Sequence, residues 1–574
     1  MNSLLETARQ RAQKWLSGNL DVDTKKDIER LLAQGDPKEL IDNFYKDLEF
    51  GTGGLRGIMG TGSNCMNRYT VGTATQGFSN YLLQSFQGQS IAVAIAHDSR
   101  NNSRKFAEIA AGIFSANGIR VHLFTELRPT PLLSFAIRYL KCQAGLVITA
   151  SHNPKEYNGY KAYWTDGAQL VPPHDKNVIR EVNAIQSFDQ IKFDGREELI
   201  QPIGPEVEQD YYQEVKRLIP RQEAIRQHPD ICLVYSSIHG AGITMVPRCL
   251  EILGFKNVKV VAEQQTPDGN FPTVQSPNPE ERSAMNMALE LAAREKAELV
   301  MATDPDTDRV GIGIQDATGK FFLLNGNQAF SLMMWFILKN LREPNGKYIA
   351  KTIVTSELVD DMARHFGVTC YNTLTGFKYI AELMREREGK EEFVAAGEES
   401  YGYMVGEFVR DKDAVSACAF FAAMAAAAKS EGQTLYQWLL AMYRDFGFYK
   451  ESLINLVRKG AEGEQQIKEM MKSFREQPPA TLGGSRVTRL LDYQHQLETN
   501  LQTKATRPID LPKSDVLQFY TENGNKISVR PSGTEPKIKF YISVKAVLPS
   551  VADFETVNAE LDATLQAIAQ DLAV

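Results

Sequence analysis

One order of elements occurs three times along this chain, and it limits the possible folds more than any other feature. The first copy begins with a strand-like run at residues 91–96 and a helical pattern near 103–117. A second strand at 120–124 leads through Arg128-Pro-Thr-Pro131 to another helix, and a third at 145–149 runs into Ala150-Ser-His-Asn-Pro154. The second copy starts at 231–235, passes His239-Gly-Ala-Gly242 and a helix to 253, then 258–261 and Thr266-Pro-Asp-Gly269. Its helix across 281–296 and strand at 299–302 end in Thr303-Asp-Pro-Asp-Thr-Asp-Arg309. The third has a strand at 348–354, a helix from 357 to 366, a strand at 368–371 and Thr373-Leu-Thr-Gly-Phe-Lys378. A helix to 388 and a strand at 393–396 then precede Gly397-Glu-Glu-Ser-Tyr-Gly402. Each copy is a β-α-β-α-β unit. Short β-branched runs separated by helix-length patterns predict parallel strands joined by helical crossovers. Ligands of such sheets bind beyond the carboxyl ends of the strands, where each copy carries its most unusual loop.

Length agrees with this count. At roughly 100–200 residues per domain, 574 residues suggest about four domains. The expected limits are 1–45 for an N-terminal helical extension, then 46–205, 206–325 and 326–454 for three α/β domains of shared topology. Residues 455–574 read as a smaller α+β domain, with a hairpin of 516–520 and 526–529 around Glu522-Asn-Gly-Asn525, because Asn-Gly is a strong turn signal. The expected fold class is therefore α/β, with four domains facing a central cleft.

The apolar share of 43% and charged share of 24% are those of an ordinary globular protein. A net charge of −7 provides no broad electrostatic footprint for nucleic acid or an anionic membrane, so an anionic substrate needs a local cluster of cations. Cys65, Cys142, Cys232, Cys249, Cys370 and Cys418 form no C-x-x-C pair, which fits reduced thiols in the cytoplasm. The opening MNSLLETARQRAQKW lacks the apolar core of a secretory signal. The apolar stretch at 414–428 falls short of the roughly 20 residues that cross a bilayer and predicts a buried helix.

Thr149-Ala-Ser-His-Asn-Pro154 sets Ser151 at a strand-to-loop transition with His152 alongside. From this loop alone, a phosphorylatable or nucleophilic serine and a plain Asn-Pro turn are equal readings. No G-x-S-x-G elbow surrounds it, so a hydrolase triad is unsupported. In an extended Asp304-Pro-Asp-Thr-Asp308, residues two apart point the same way, and converging carboxylates need a cation between them. Oxygen-only ligands suit Mg²⁺. An EF-hand is excluded, because Arg309 stands at its glycine position and Gln315 at its closing glutamate. Gly397-Glu-Glu-Ser-Tyr-Gly402 offers carboxylates and a hydroxyl suited to sugar hydroxyls. Arg530-Pro-Ser-Gly-Thr-Glu-Pro-Lys537 has the arginine, hydroxyls and bare backbone of an anion nest, without the G-K-[ST] of a nucleotide loop. Gly51-Thr-Gly-Gly-Leu-Arg-Gly57 adds Arg56. Together these loops describe phosphoryl transfer to or from a sugar.

In this order the loops at 149–154, 304–309, 397–400 and 530–534 resemble the signature loops of the α-D-phosphohexomutases, the phosphoglucomutase/phosphomannomutase family. The resemblance spans residues 45–550. It implies that Ser151 is a phosphoserine, and that Asp304, Asp306 and Asp308 bind Mg²⁺ together with a phosphate oxygen on Ser151. It implies that Glu398 and Ser400 grip sugar hydroxyls, while Arg530, Ser532, Gly533 and Thr534 hold the phosphate that is not reacting. Arg56 and Lys161 are implied near the transferring group, and Gly376 and Lys378 in selecting the sugar's orientation. His152 and Lys161 are the candidates for proton transfer or charge stabilisation. The implied reaction interconverts glucose 1-phosphate and glucose 6-phosphate through glucose 1,6-bisphosphate, which turns over within the cleft. Lys155-Glu156 stand where many members have Gly-Gly. That feature, the length and the N-terminal extension are similar to the longer branch, which holds phosphoglucomutases, phosphopentomutases and a glucose-1,6-bisphosphate synthase.

A phosphoglucomutase is thus the leading expectation. Phosphomannomutase and phosphopentomutase are the alternatives within the family. An aspartyl-nucleophile sugar phosphatase acting through Asp304 is the alternative outside it, although Asp308 replaces the Thr or Val usual in that chemistry. A non-catalytic sugar-phosphate sensor is a third. Expected partners are small-molecule sugar phosphates, with neither nucleic acid nor membrane, in a cytoplasmic monomer or weak homodimer.

Overall fold

The computed structural model describes residues 2–572 apart from 52, 459 and 533–536. Three sheets share one strand order. In the first, Ala92–His97 lies between Arg120–Leu123 and Ala144–Ile148, all parallel. Leu233–Ser236 lies likewise between Val258–Val260 and Leu299–Thr303, and Lys347–Thr352 between Thr369–Thr373 and Glu392–Gly397. Helices cover both faces, so the central strands are buried along their length and read as continuous apolar runs.

The sheets are mixed, where the repeats predicted parallel strands only. After its third parallel strand, each chain segment turns back as an antiparallel neighbour. These returning strands are Tyr157–Trp164, Val310–Gln315 and Tyr403–Val405. Each candidate loop is therefore a hairpin connection at the carboxyl end of its sheet, anchored on both sides.

The fourth unit is a largely separate antiparallel sheet, ordered Phe448–Val457, Lys537–Ala546, Lys526–Pro531, Leu517–Thr521, Ser485–Asp492, Leu497–Asn500 and Thr506–Pro508. The Asn523-Gly524 hairpin joins Leu517–Thr521 to Lys526–Pro531. Phe448–Val457 pairs along its whole length with Lys537–Ala546, so a limit between 454 and 455 cuts a strand of this sheet.

Helices Asn2–Leu16, Val22–Ala33 and Lys38–Phe44 build the N-terminal extension, whose buried Ala12, Ile28, Leu31 and Phe44 pack with Tyr69 of the first α/β domain. The alanine-rich segment forms Ala414–Ser430, buried on every face as an all-apolar helix must be. Asp413 caps it, accepting from the Val415 and Ser416 amides, and the Tyr211 hydroxyl donates to the same carboxylate at 2.7 Å. Among the described residues, no helix is long and apolar enough to cross a membrane.

Candidate active site

Asp304, Asp306 and Asp308 each present an oxygen, all within 4.8 Å of one another and all buried. A turn produces this convergence, not the strand alternation expected from the spacing: Thr307 is left-handed at φ 59°, and Asp304 Oδ1 accepts from the Asp308 and Arg309 amides. The turn is held from its own domain and from both neighbouring α/β domains. Thr130 donates to Asp306 through its amide (2.9 Å, to the carbonyl) and its hydroxyl (3.0 Å, to Oδ2). The Ala241 amide reaches the Pro305 carbonyl at 2.7 Å, an approach that needs a glycine before it, since a Cβ on Gly240 would lie 2.5 Å from Pro305 Cα. From the third domain, the Ala414 amide donates to Thr307.

Burial and repulsion from Asp306 and Asp308 push the Asp304 carboxyl well above its ordinary range. Against its own burial, Asp308 is held well below that range by Lys412, Lys161 and Arg309. Asp306 Oδ1 and Asp308 Oδ1 are buried without a hydrogen-bond donor. Crowded anionic oxygens with unused lone pairs fit a hard divalent cation.

Ser151 sits directly above this cluster. Its hydroxyl donates to Asp304 Oδ2 at 2.7 Å, and its backbone is left-handed at φ 52°. Ser151, Thr307 and Tyr401, one in each of the three hairpin loops, all adopt positive φ. Such conformations cost about 1–3 kcal/mol each and persist only where the surroundings enforce them. Lys161 reaches Asp306 at 2.7 Å and Asp308 at 3.2 Å. Arg56 lies opposite Gly159 in the adjoining strand, on the face that Lys161 shares, and donates to Asn153 Oδ1 at 3.1 Å.

His152 Nδ1 stands 3.2 Å from Ser151 Oγ. Burial, then Arg309 and Arg56, press its pKa down to about 2, so the ring is neutral. The Ser151 hydrogen is committed to Asp304, which makes the Nδ1–H tautomer the complementary one. His152→Gln is therefore expected to keep kcat within about tenfold, with no pH limb lost. A fall of about 10²-fold or more that removes a limb from the pH–rate profile would make His152 the proton carrier. Because its folded pKa lies below the unfolded value of about 6.5, His152 costs stability as pH falls through 6.5, and the variant should escape that loss.

A cavity of about 1060 Å³ is lined by residues of all four domains, among them His152, Arg309, Gly376, Glu398, Ser400 and Arg530. Glu398 is buried, its carboxyl raised mainly by desolvation, and Oε1 accepts from the Gly376 amide at 2.8 Å. Lys378 lies outside this lining, 5.0 Å from the Tyr379 ring centroid. At the far wall Arg530 pairs in register with Lys539, beside Lys537. Burial, then Lys537 and Arg530, hold the Lys539 ammonium below its ordinary value, as expected for cations gathered to meet an anion. The Ser532 amide donates to the Lys537 carbonyl at 2.8 Å, while Gly533 and Thr534 lie outside the described residues.

Sequence reasoning missed Lys412. Its ammonium is 3.2 Å from Asp308 and 3.1 Å from Asp411, and the Tyr163 hydroxyl holds Asp411 at 2.7 Å. The signal was the alternation Arg410-Asp-Lys-Asp413 directly before a buried helix, where charges must be paired. Glu280, 2.5 Å from Arg309, was also missed, and nothing in its local sequence marks it.

Three like α/β/α domains and an antiparallel fourth, sharing one polar cleft with a carboxylate cluster and a buried serine, form the architecture of a phosphohexomutase. Models of the phosphoglucomutase/phosphomannomutase alpha/beta/alpha domains I, II and III match residues 47–189, 209–319 and 325–446. A phosphoglucomutase of Staphylococcus haemolyticus is 37% identical, covering 90% of this chain and 93% of its own. One from Staphylococcus aureus is 35% identical over 94% and 96%. The crystal structure of the Paramecium phosphoprotein pp63/parafusin, a phosphoglucomutase in open form, shares the fold with a TM-score of 0.69 at 20% identity, over 92% of this chain and 96% of that one. The chain belongs to the phosphoglucomutase/phosphomannomutase family.

Proposed function

We propose that this enzyme interconverts glucose 1-phosphate and glucose 6-phosphate through phospho-Ser151 and a glucose 1,6-bisphosphate intermediate. The observation that carries the reading is the Ser151 hydroxyl 2.7 Å from Asp304 in a three-carboxylate cluster, beside a cleft whose opposite wall gathers Arg530, Lys537 and Lys539. Mg²⁺ on Asp304, Asp306 and Asp308, when bound, neutralises charge on the transferring phosphoryl oxygens. Lys161 and Arg56 add fixed positive charge on the same side. Arg530 and Ser532 hold the phosphate at the other end, while Glu398, Ser400 and Gly376 orient the sugar between them.

In the first half-reaction the P–O bond to Ser151 Oγ breaks and one forms to the sugar's free phosphate-accepting hydroxyl. That hydroxyl gives up a proton, and the serine oxygen regains one. Lys161, an ammonium held by Asp306 and Asp308, gives a proton to the departing Ser151 oxygen as it takes up the one the sugar hydroxyl releases, whereas burial leaves His152 too weak a base for that exchange. The bisphosphate then reverses its ends, and Ser151 recovers a phosphoryl group from the other. Closure of a cleft walled by four domains would exclude water and keep the phosphoryl group from hydrolysis. The domain limits given above, with Phe448–Val457 moved to the fourth domain, and a cytoplasmic location belong to the same reading.

The test is a panel of glucose, mannose and pentose 1-phosphates at equal concentration, with Mg²⁺ and a trace of glucose 1,6-bisphosphate. The glucose pair is expected to show the highest kcat/KM, by about tenfold or more, the discrimination that a single well-placed polar contact supplies. Preference for mannose or pentose phosphates, or net release of inorganic phosphate, overturns the assignment.

A further inference from the structure

We propose that Arg100 is the positioning residue of the serine loop, gripping its main chain from within and holding Ser151 Oγ against Asp304. The assignment rests on the reading of Ser151 as phosphoryl carrier. Arg100 follows the strand Ala92–His97, and its side chain, like that of Asp98, is completely buried. Asp98 holds it, with Oδ2 3.4 Å from Arg100 Nε and Oδ1 accepting from the Arg100 amide at 2.9 Å and the Ser103 hydroxyl at 2.6 Å.

The guanidinium then satisfies a ring of inward-facing carbonyls. Nη1 donates to Pro154 at 2.8 Å and Tyr157 at 3.1 Å, and Nη2 donates to Ser151 at 2.5 Å and to Asn153. Converging carbonyl dipoles repel one another without a cation among them, and only a planar fork of donors reaches several at once. The second domain closes the clamp. The Phe271 ring lies 5.0 Å from the guanidinium carbon, and its segment approaches so closely that a Cβ on Gly269 would fall 2.2 Å from the Asn101 amide.

The Arg100 side chain is completely buried, so it acts through Ser151, whose carbonyl it anchors in a left-handed conformation. A loosened loop displaces the phosphoryl oxygen by a fraction of an ångström to an ångström, a change worth about 10² in rate while leaving the sugar's own contacts intact.

Arg100→Lys keeps the charge and the Asp98 partner but cannot span the carbonyls. It is expected to lower kcat about 10²-fold with KM for glucose 1-phosphate within about threefold, and to speed loss of phosphate from the isolated phosphoenzyme, followed by intact mass. Phe271→Leu should show the same split at about tenfold. Mere destabilisation would lower the melting temperature without separating kcat from KM. A folded Arg100→Lys enzyme with kcat within about threefold of the parent overturns the assignment. Should that variant not fold, a Phe271→Leu enzyme with kcat and phosphoenzyme lifetime unchanged overturns it. A parent enzyme without covalent phosphate on Ser151 overturns the functional reading, and this assignment with it.

Discussion

Ser151→Ala is expected to carry no covalent phosphate and to turn over glucose 1-phosphate at least about 10⁴-fold more slowly than the parent, the scale on which loss of a covalent nucleophile is felt. The size follows from how few substitutes the site contains. The Thr149 hydroxyl accepts the Ser151 amide at 2.9 Å, which orients it toward the backbone and away from the cleft. Thr307 is buried at the turn of the carboxylate loop and faces no open space. Stability should change little, by about 1–2 kcal/mol, because alanine loses the hydrogen bonds to Asp304 and from His152 and keeps the same strained backbone. Intact mass and a coupled assay of the same preparations check both parts. Phosphate retained on the alanine variant would move the nucleophile elsewhere.

Removing divalent cations with EDTA should lower turnover about 10³-fold, with recovery on adding Mg²⁺, the range for loss of one principal electrostatic stabiliser. Three carboxylates within 4.8 Å share only partial compensation from Lys161, Lys412 and Arg309, and two of their oxygens lack any donor. A cation that binds only the folded protein also stabilises it, by about 2.7 kcal/mol at a hundred times its dissociation constant. The melting temperature should therefore rise with Mg²⁺ in the parent. Asp306→Asn should abolish both that rise and the recovery of turnover. Turnover indifferent to EDTA, together with a melting temperature indifferent to Mg²⁺, would remove the metal from the mechanism.

Much of this was legible in the residues because both the fold and the chemistry left local marks. Periodicity separated strands from helices in three copies, and Asn523-Gly524 marked a hairpin that the structure contains. The aspartates at 304, 306 and 308 pointed to a cation through their alternate spacing, although a turn with Thr307 left-handed gathers them, and not the extended segment that reading assumed. The antiparallel returns after each third strand were missed, because strand direction leaves no mark in residue type: Tyr157–Trp164 mixes Asn158 and Lys161 with aromatic residues, while Tyr403–Val405 is wholly buried.

By itself, then, the sequence determined the number and kind of domains, the loops expected to carry chemistry, and the family to which those loops belong. These are properties of short segments, set by propensity, period and side-chain type. Only the tertiary structure decided which groups meet. Thr130 reaches Asp306 across 176 residues and Tyr163 reaches Asp411 across 248, and Lys412 arrives at Asp308 on a segment with no motif of its own. Such contacts depend on how whole domains pack. A buried charge accepts whichever partner that packing brings within hydrogen-bond distance, so no local pattern can specify it.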